Sequence, residues 1–176
     1  GEGGSDRIGI CGGNYEHPRM MDMEGMEKPE TSALPASTAA REAYFVDLAK
    51  ALMAGRTPPL LVTGGFRSRA AMAQALAAGI AMIGVGRPLC GAPDAVADLL
   101  AGRIDSLPRF ETQLRIGPGL LGPNSPLKLA RALNGFAAQA WYYVQLRRIA
   151  AGEPLALDIN PLMAFLSEQR DAKTRS

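Results

Sequence analysis

The sequence predicts an α/β fold with parallel strands, and two features of the chain point to it. Short apolar runs alternate with helical segments, in the order strand, helix, strand, helix, between Pro59 and Gly102. The runs are apolar throughout, as in parallel strands that are covered on both faces. The chain has 176 residues, of which 47% are hydrophobic and 20% charged, a composition typical of a globular protein with one core.

The first third of the chain contains one predicted strand, a long loop and a helix. The isoleucine-rich run over residues 7–11 stops at a glycine pair and predicts the first strand. Residues 14–37 carry four methionines among acids and prolines without a sustained period, which predicts a loop. A capped amphipathic segment over residues 37–55 predicts the first helix.

The middle of the chain adds two strands and two helices. Leu60 to Thr63 is the second predicted strand, with two prolines at its leading edge, where a missing N–H does least harm. Ser68 caps the next helix and Gly79 ends it, and residues 81–85 form the third strand. Another helix begins near Pro93-Asp94 and stops at Gly102.

The last part of the chain is predicted to be irregular and then helical. Residues 103–125 are rich in Gly and Pro. From Pro126 onward, apolar residues recur at spacings of three and four and predict a helix that packs through Leu133, Phe136, Ala137, Ala140, Trp141 and Val144. Asn160-Pro161 resembles an N-cap followed by a first-turn proline and predicts a last short helix.

Charge and cysteine content exclude several classes of protein. The net charge of +2 is too weak to indicate a nucleic-acid or membrane surface. Cys11 and Cys90 lie far apart without metal-ligand spacing, so we expect free thiols and no metal site. The most apolar stretch, residues 70–86, is shorter than the roughly 20 residues of a membrane-spanning helix. We expect a soluble, cytoplasmic protein.

Two of the predicted strands end in glycine, and these ends should lie side by side. Parallel strands joined by right-handed crossovers emerge on one side of a sheet, which brings Gly64-Gly65 next to Gly86-Arg87. Backbone N–H groups of glycine can approach a ligand oxygen closely, and the helix after Ser68 points its positive end into the same space. Arg87 adds a planar fork of donors that fits a phosphate.

The sequence therefore predicts a phosphate site at these two loops. The alternative is that the glycines only permit tight turns; two such loops around one helix, followed by an arginine, favour the phosphate. In (β/α)8 barrels the common phosphate site lies after the seventh and eighth strands. If the two strands occupy those positions, the strand over residues 7–11 is the sixth.

Three motifs carry a resemblance to a known family. "CGGNYE", "VTGGFRS" and "IGVGRPL", in this order and spacing, resemble the C-terminal half of the old yellow enzyme family, the FMN-dependent NAD(P)H:flavin oxidoreductases. The segment "AQAWYYVQLRRIAAGEPLALDINPLMAF" is similar to the C-terminal extension of some bacterial members. The resemblance implies that residues 1–110 are strands six to eight of a (β/α)8 TIM barrel and that residues 111–176 are a loop and helical extension.

The same resemblance implies a cofactor, a reaction and binding residues. By position, Gly64, Gly65, Gly86 and Arg87 would hold the FMN phosphate, and Tyr15 would border the substrate pocket or simply pack. In the complete enzyme, NADH or NADPH would reduce the flavin, and the flavin would reduce a small activated alkene or related electrophile. These features imply an ene-reductase type of oxidoreductase.

The chain also departs from the family. Cys11 stands where members usually carry Ser. The family's substrate-anchoring His-His or His-Asn pair, its proton-donating Tyr and its basic residue near the flavin come from an earlier part of the barrel, so no catalytic residue is assigned. We therefore expect a C-terminal segment that is inactive alone and that needs the missing N-terminal half of the barrel or associates with itself. Two alternatives remain: another phosphate-binding barrel enzyme, and a non-catalytic half-barrel that binds a ligand or a partner.

Overall fold

The computed structural model describes residues 8–11 and 59–174. Three short strands, β1 (Ile8–Cys11), β2 (Leu60–Thr63) and β3 (Met82–Gly84), form one sheet in the order β1-β2-β3. Both pairs of neighbouring strands are parallel. The predicted α/β class with parallel strands is confirmed, and β2 has the bounds that the sequence predicts.

Some predictions fall outside the described residues. They are the long loop over 14–37, the helix over 37–55 and the pocket residue Tyr15. These stay predictions.

The described part of the chain contains five helices, of which the first lies between β2 and β3. They are α1 (Arg69–Ala77), α2 (Arg87–Gly91), α3 (Ala95–Leu100), α4 (Lys128–Ala151) and α5 (Pro161–Thr174). Two short 3₁₀ turns, Phe110–Thr112 and Gly119–Leu121, interrupt the otherwise irregular segment before α4. The interpretation of Gly86-Arg87-Pro88 as a loop is wrong: α2 begins at Arg87, because a proline in the first turn of a helix loses no hydrogen bond.

The ends of α1 are the ones that the sequence predicts. The Ser68 hydroxyl accepts a hydrogen bond from the first turn of the helix. Gly79 ends the helix with a positive φ of 103°. The Gly79 N–H donates to the Leu76 carbonyl at 3.0 Å and the Ile80 N–H to the Ala75 carbonyl at 3.2 Å, which is a Schellman motif. This cap turns the chain directly into β3.

One face of the sheet is packed against α1. Val62, Phe66, Ala75 and Ile80 form the buried cluster between them. Along β2, buried and partly exposed residues alternate, and Met82 of β3 is 48% exposed. The described helices pack on one face, so the cover predicted on the second face stays a prediction.

The long helix α4 packs on α5 and on α2. Its buried face carries Ala137, Ala140 and Trp141, as predicted, but Phe136 is 46% exposed. The polar Gln145 is fully buried instead, and it satisfies its amide by exchanging two hydrogen bonds, each 2.9 Å, with the backbone of Ala156. Among the helices over residues 59–174, none combines the length and apolar character needed to cross a bilayer.

Candidate phosphate-binding site

The register of β2 and β3 determines which loops are neighbours. Thr63, the last residue of β2, pairs with Gly84, the last residue of β3. Because the strands are parallel and neighbouring strands lie about 4.8 Å apart, the chain segments that leave them start side by side. Gly64-Gly65 and Gly86-Arg87 therefore leave the same edge of the sheet, as the sequence predicts.

The first glycine pair has a backbone reason to be glycine. Gly64 has a φ of 120° and Gly65 a φ of 77°. Side chains rarely accept such angles, so the turn from β2 into α1 requires glycine whether or not a ligand binds. The tight-turn alternative explains these two residues by itself.

Gly86 differs from this pair. Its φ of −123° is negative, and a Cβ built on it would meet no atom within 4 Å. Contacts among the described residues therefore do not explain the glycine. The space beside it is open, which a ligand that approaches the backbone closely would need.

Gly84 was missed as a special position, and its reason is packing. A Cβ at Gly84 would overlap Thr63 Oγ1 and lie 2.9 Å from Thr63 Cβ. The Thr63 side chain thus lies across Gly84, and only glycine lets β3 stay at pairing distance. A glycine inside a predicted strand was the available signal.

Arg87 stands at the start of α2, where its charge acts on a neighbouring thiol. Cys90 is half-buried, and burial raises the pKa of its thiol. A backbone hydrogen bond and the positive charge of Arg87 lower this pKa by smaller amounts. The thiol is therefore largely protonated at neutral pH, and it is not an activated nucleophile.

Arg67 turns away from solvent. Its side chain is 8% exposed, and its Nη1 donates to the Phe66 carbonyl at 3.0 Å. Its Nη2 forms an ion pair of 3.1 Å with Glu111 Oε1, 44 residues later in the chain. Arg67 is therefore buried and paired, although it lies just before the start of α1. No local pattern in the sequence could have found this partner.

Three named proteins are similar to about half of this chain. No family model matches the chain. The NADH-dependent flavin oxidoreductase iliE of Hypocrea jecorina (strain QM6a) is 44% identical over 88 residues, which are 48% of this chain and 20% of that protein. The NADH-dependent flavin oxidoreductase iccE of Talaromyces variabilis is 40% identical over 89 residues, 49% of this chain and 20% of its own length.

A third relative, also named NADH-dependent flavin oxidoreductase iliE, comes from Neonectria sp. (strain DH2). It is 39% identical over 90 residues, which cover 49% of this chain and 11% of that protein. The chain thus spans a fifth or less of the length of these relatives. They confirm the resemblance drawn from the three motifs.

Proposed function

We propose that this chain belongs to the NADH:flavin oxidoreductase family, which its similarity to the three relatives supports, and that it holds the phosphate of FMN in an oxidoreductase. The observation that carries the proposal is the open space at Gly86, next to Arg87 and beside the loop that starts at Gly64. A glycine whose side-chain position is open is what close contact with a ligand would need. The residues present therefore fit an anionic group.

The chemistry of the donors suits a doubly charged phosphate. Backbone N–H groups of Gly64, Gly65 and Gly86 and the guanidinium of Arg87 would bind its oxygens. Helix α1, nine residues long, would direct the positive end of its dipole at the same place. Each hydrogen bond to a charged group contributes about 1.5–3 kcal/mol, so a few of them account for a strong preference for the phosphorylated flavin.

The reaction belongs to the cofactor, and this chain supplies binding and orientation. FMN, when bound, would take up hydride from a nicotinamide nucleotide and pass it to a small electrophile such as an activated alkene. The names of the relatives favour NADH over NADPH as the reductant. We assign no catalytic residue among the described residues. Tyr15 remains a proposed wall of the substrate pocket.

We further propose that the three strands are the last three of a (β/α)8 barrel, with α4 and α5 as a C-terminal extension. The parallel order β1-β2-β3 supports this, since consecutive strands of such a barrel are neighbours. A three-stranded sheet cannot close on itself, so the remaining strands would come from an N-terminal half or from a second copy.

The test compares FMN with riboflavin, which lacks the phosphate. Full-length protein is titrated with each flavin by fluorescence, and NADH oxidation is followed with the bound flavin. We expect tighter binding of FMN and a loss of this preference in Arg87→Gln. Arg103→Gln is the matched control, because Arg103 is 62% exposed and pairs with Asp98. Equal affinity for the two flavins would refute the proposed phosphate site, and so would a protein that binds neither.

A further inference from the structure

The 3₁₀ turn Phe110–Thr112 contacts the loop before α1 and helix α2, which carry the two halves of the candidate site. Glu111 forms the ion pair with Arg67, which belongs to the loop between β2 and α1. The preceding residue, Phe110, packs against Gly91 at the end of α2: a Cβ on Gly91 would lie 2.5 Å from the Phe110 ring. Since α2 begins at Arg87, one short turn touches the elements that carry both halves of the site.

The chain before this turn also forms backbone hydrogen bonds with the loop between β2 and α1. The Leu107 N–H donates to the Arg67 carbonyl at 2.8 Å, and the Arg69 N–H donates to the Asp105 carbonyl at 3.0 Å. Between them, Ser68 and Ser106 form an antiparallel bridge. Residues 105–107 therefore run alongside residues 67–69 and hold the start of α1 in place.

The turn is itself held by the C-terminal helices. The Phe110 ring lies 5.5 Å from the ring of Trp141, at an angle of 34° between the planes. Trp141 is 1% exposed and belongs to the cluster in which α4 packs on α5 through Ala140 and Ala164. The turn thus packs through Phe110 on the buried cluster between α4 and α5.

We propose that Glu111, Arg67 and Phe110 are positioning residues that set the distance between the Gly64-Gly65 loop and Arg87. This inference rests on the proposed function. Arg67 does not bind the phosphate itself, because its guanidinium is buried and paired with Glu111. It acts through the loop backbone, and a rigid arrangement of donors matters because a phosphate accepts several hydrogen bonds at once.

The experiment removes the charge of Glu111 while keeping its shape. In full-length Glu111→Gln, we expect the affinity for FMN to fall about tenfold, the lower end of what loss of a supporting group costs a binding site. The affinity for riboflavin should stay unchanged, since it lacks the phosphate. The matched control is Glu153→Gln, which breaks the exposed pair between Arg148 and Glu153 and should change neither affinity.

A role limited to stability would give a different pattern. Glu111→Gln would then reduce the affinity for both flavins by the same factor, which would overturn the inference. A fall in melting temperature is expected in either case, because Arg67 loses its carboxylate partner. Arg67→Lys is the second variant, because it keeps the charge but loses the fork that reaches Phe66 and Glu111 together. An unchanged ratio of FMN to riboflavin affinity in both variants also contradicts the inference. If wild-type protein binds the two flavins equally, the proposed function fails instead.

Discussion

Separate replacement of Gly84 and Gly86 by alanine distinguishes a glycine needed for packing from one needed for a ligand. At Gly84 the new Cβ would overlap Thr63 Oγ1 and lie 2.9 Å and 3.0 Å from Thr63 Cβ and Cγ2. At Gly86 it would meet no atom within 4 Å. The two residues are only two positions apart, so their substitutions share the same surroundings in the chain.

The expected magnitudes follow from these distances. The Gly84→Ala contacts are up to about 1 Å shorter than the optimal carbon separation of about 3.5–4.0 Å. Overpacking costs about 1–3 kcal/mol, and the additional overlap with Oγ1 places Gly84→Ala at the upper end. For a chain of this size that corresponds to a fall of about 6–12 °C in melting temperature.

Gly86→Ala should leave the fold nearly unchanged and lower the affinity for FMN. Because the added Cβ meets no atom within 4 Å, the free energy of unfolding without flavin should change by no more than about 1 kcal/mol. The Cβ would keep the phosphate away from the backbone N–H of residue 86, and loss of that hydrogen bond costs about 1.5–3 kcal/mol, or roughly a 10- to 150-fold loss of FMN affinity. Riboflavin affinity should be retained.

Thermal unfolding followed by circular dichroism, together with titration of both flavins, measures these effects. Thr63→Ala/Gly84→Ala should recover part of the stability, since it removes Oγ1 and Cγ2 but leaves the Cβ of residue 63. The reasoning is refuted if Gly86→Ala destabilises the flavin-free protein as much as Gly84→Ala does. It is equally refuted if Gly86→Ala binds FMN as tightly as the wild type.

Three other substitutions and one chemical treatment test the surrounding structure. Gly91→Ala should lower the urea midpoint by an amount equivalent to about 1–3 kcal/mol, because it presses on a phenylalanine ring 2.5 Å away; an unchanged midpoint would contradict the packing. Gln145→Leu should cost about 1–3 kcal/mol for each backbone group of Ala156 left unpaired, measured by the same unfolding. Cys90 should react with iodoacetamide more slowly at neutral pH than a free cysteine, because burial raises the pKa of its thiol and lowers the thiolate fraction. Arg87→Gln should slow the reaction further, since it removes a charge that lowers this pKa; mass spectrometry of the labelled peptide would reveal an acceleration instead.

Features that depend on neighbouring residues could be predicted from the sequence. The cap at Ser68 and the glycine ends at Gly79 and Gly102 follow from hydrogen bonds within one helical turn. Asn160 likewise caps α5, where its side-chain oxygen accepts from the Leu162 N–H at 2.8 Å. The parallel pairing of β2 and β3 follows from the helix between them, which requires a crossover.

Features that depend on distant residues could not be predicted. The ion pair of Arg67 joins positions 44 residues apart, and no periodicity marks its partner. Phe136 fits the apolar stripe of α4, but the helix turns a neighbouring face, with Asn134 and Gln145, towards its contacts. Both polar residues are buried because backbone groups of irregular segments satisfy them, and the sequence does not show where those segments lie.

The chain becomes rich in Gly and Pro after residue 103, where helices give way to irregular structure. The parts of the chain before and after this segment still pack against each other. A boundary predicted between residues 110 and 111 falls within one 3₁₀ turn, and contacts cross it in both directions. Phe110, on one side, packs on Trp141 of α4, while Glu111, on the other, pairs with Arg67 beside β2. Without Glu111, Arg67 would be a buried charge without its carboxylate, and the loss of one partner from such a pair typically costs about 3–5 kcal/mol. The loop that follows β2 therefore depends on the C-terminal part of the chain as much as on the sheet from which it emerges.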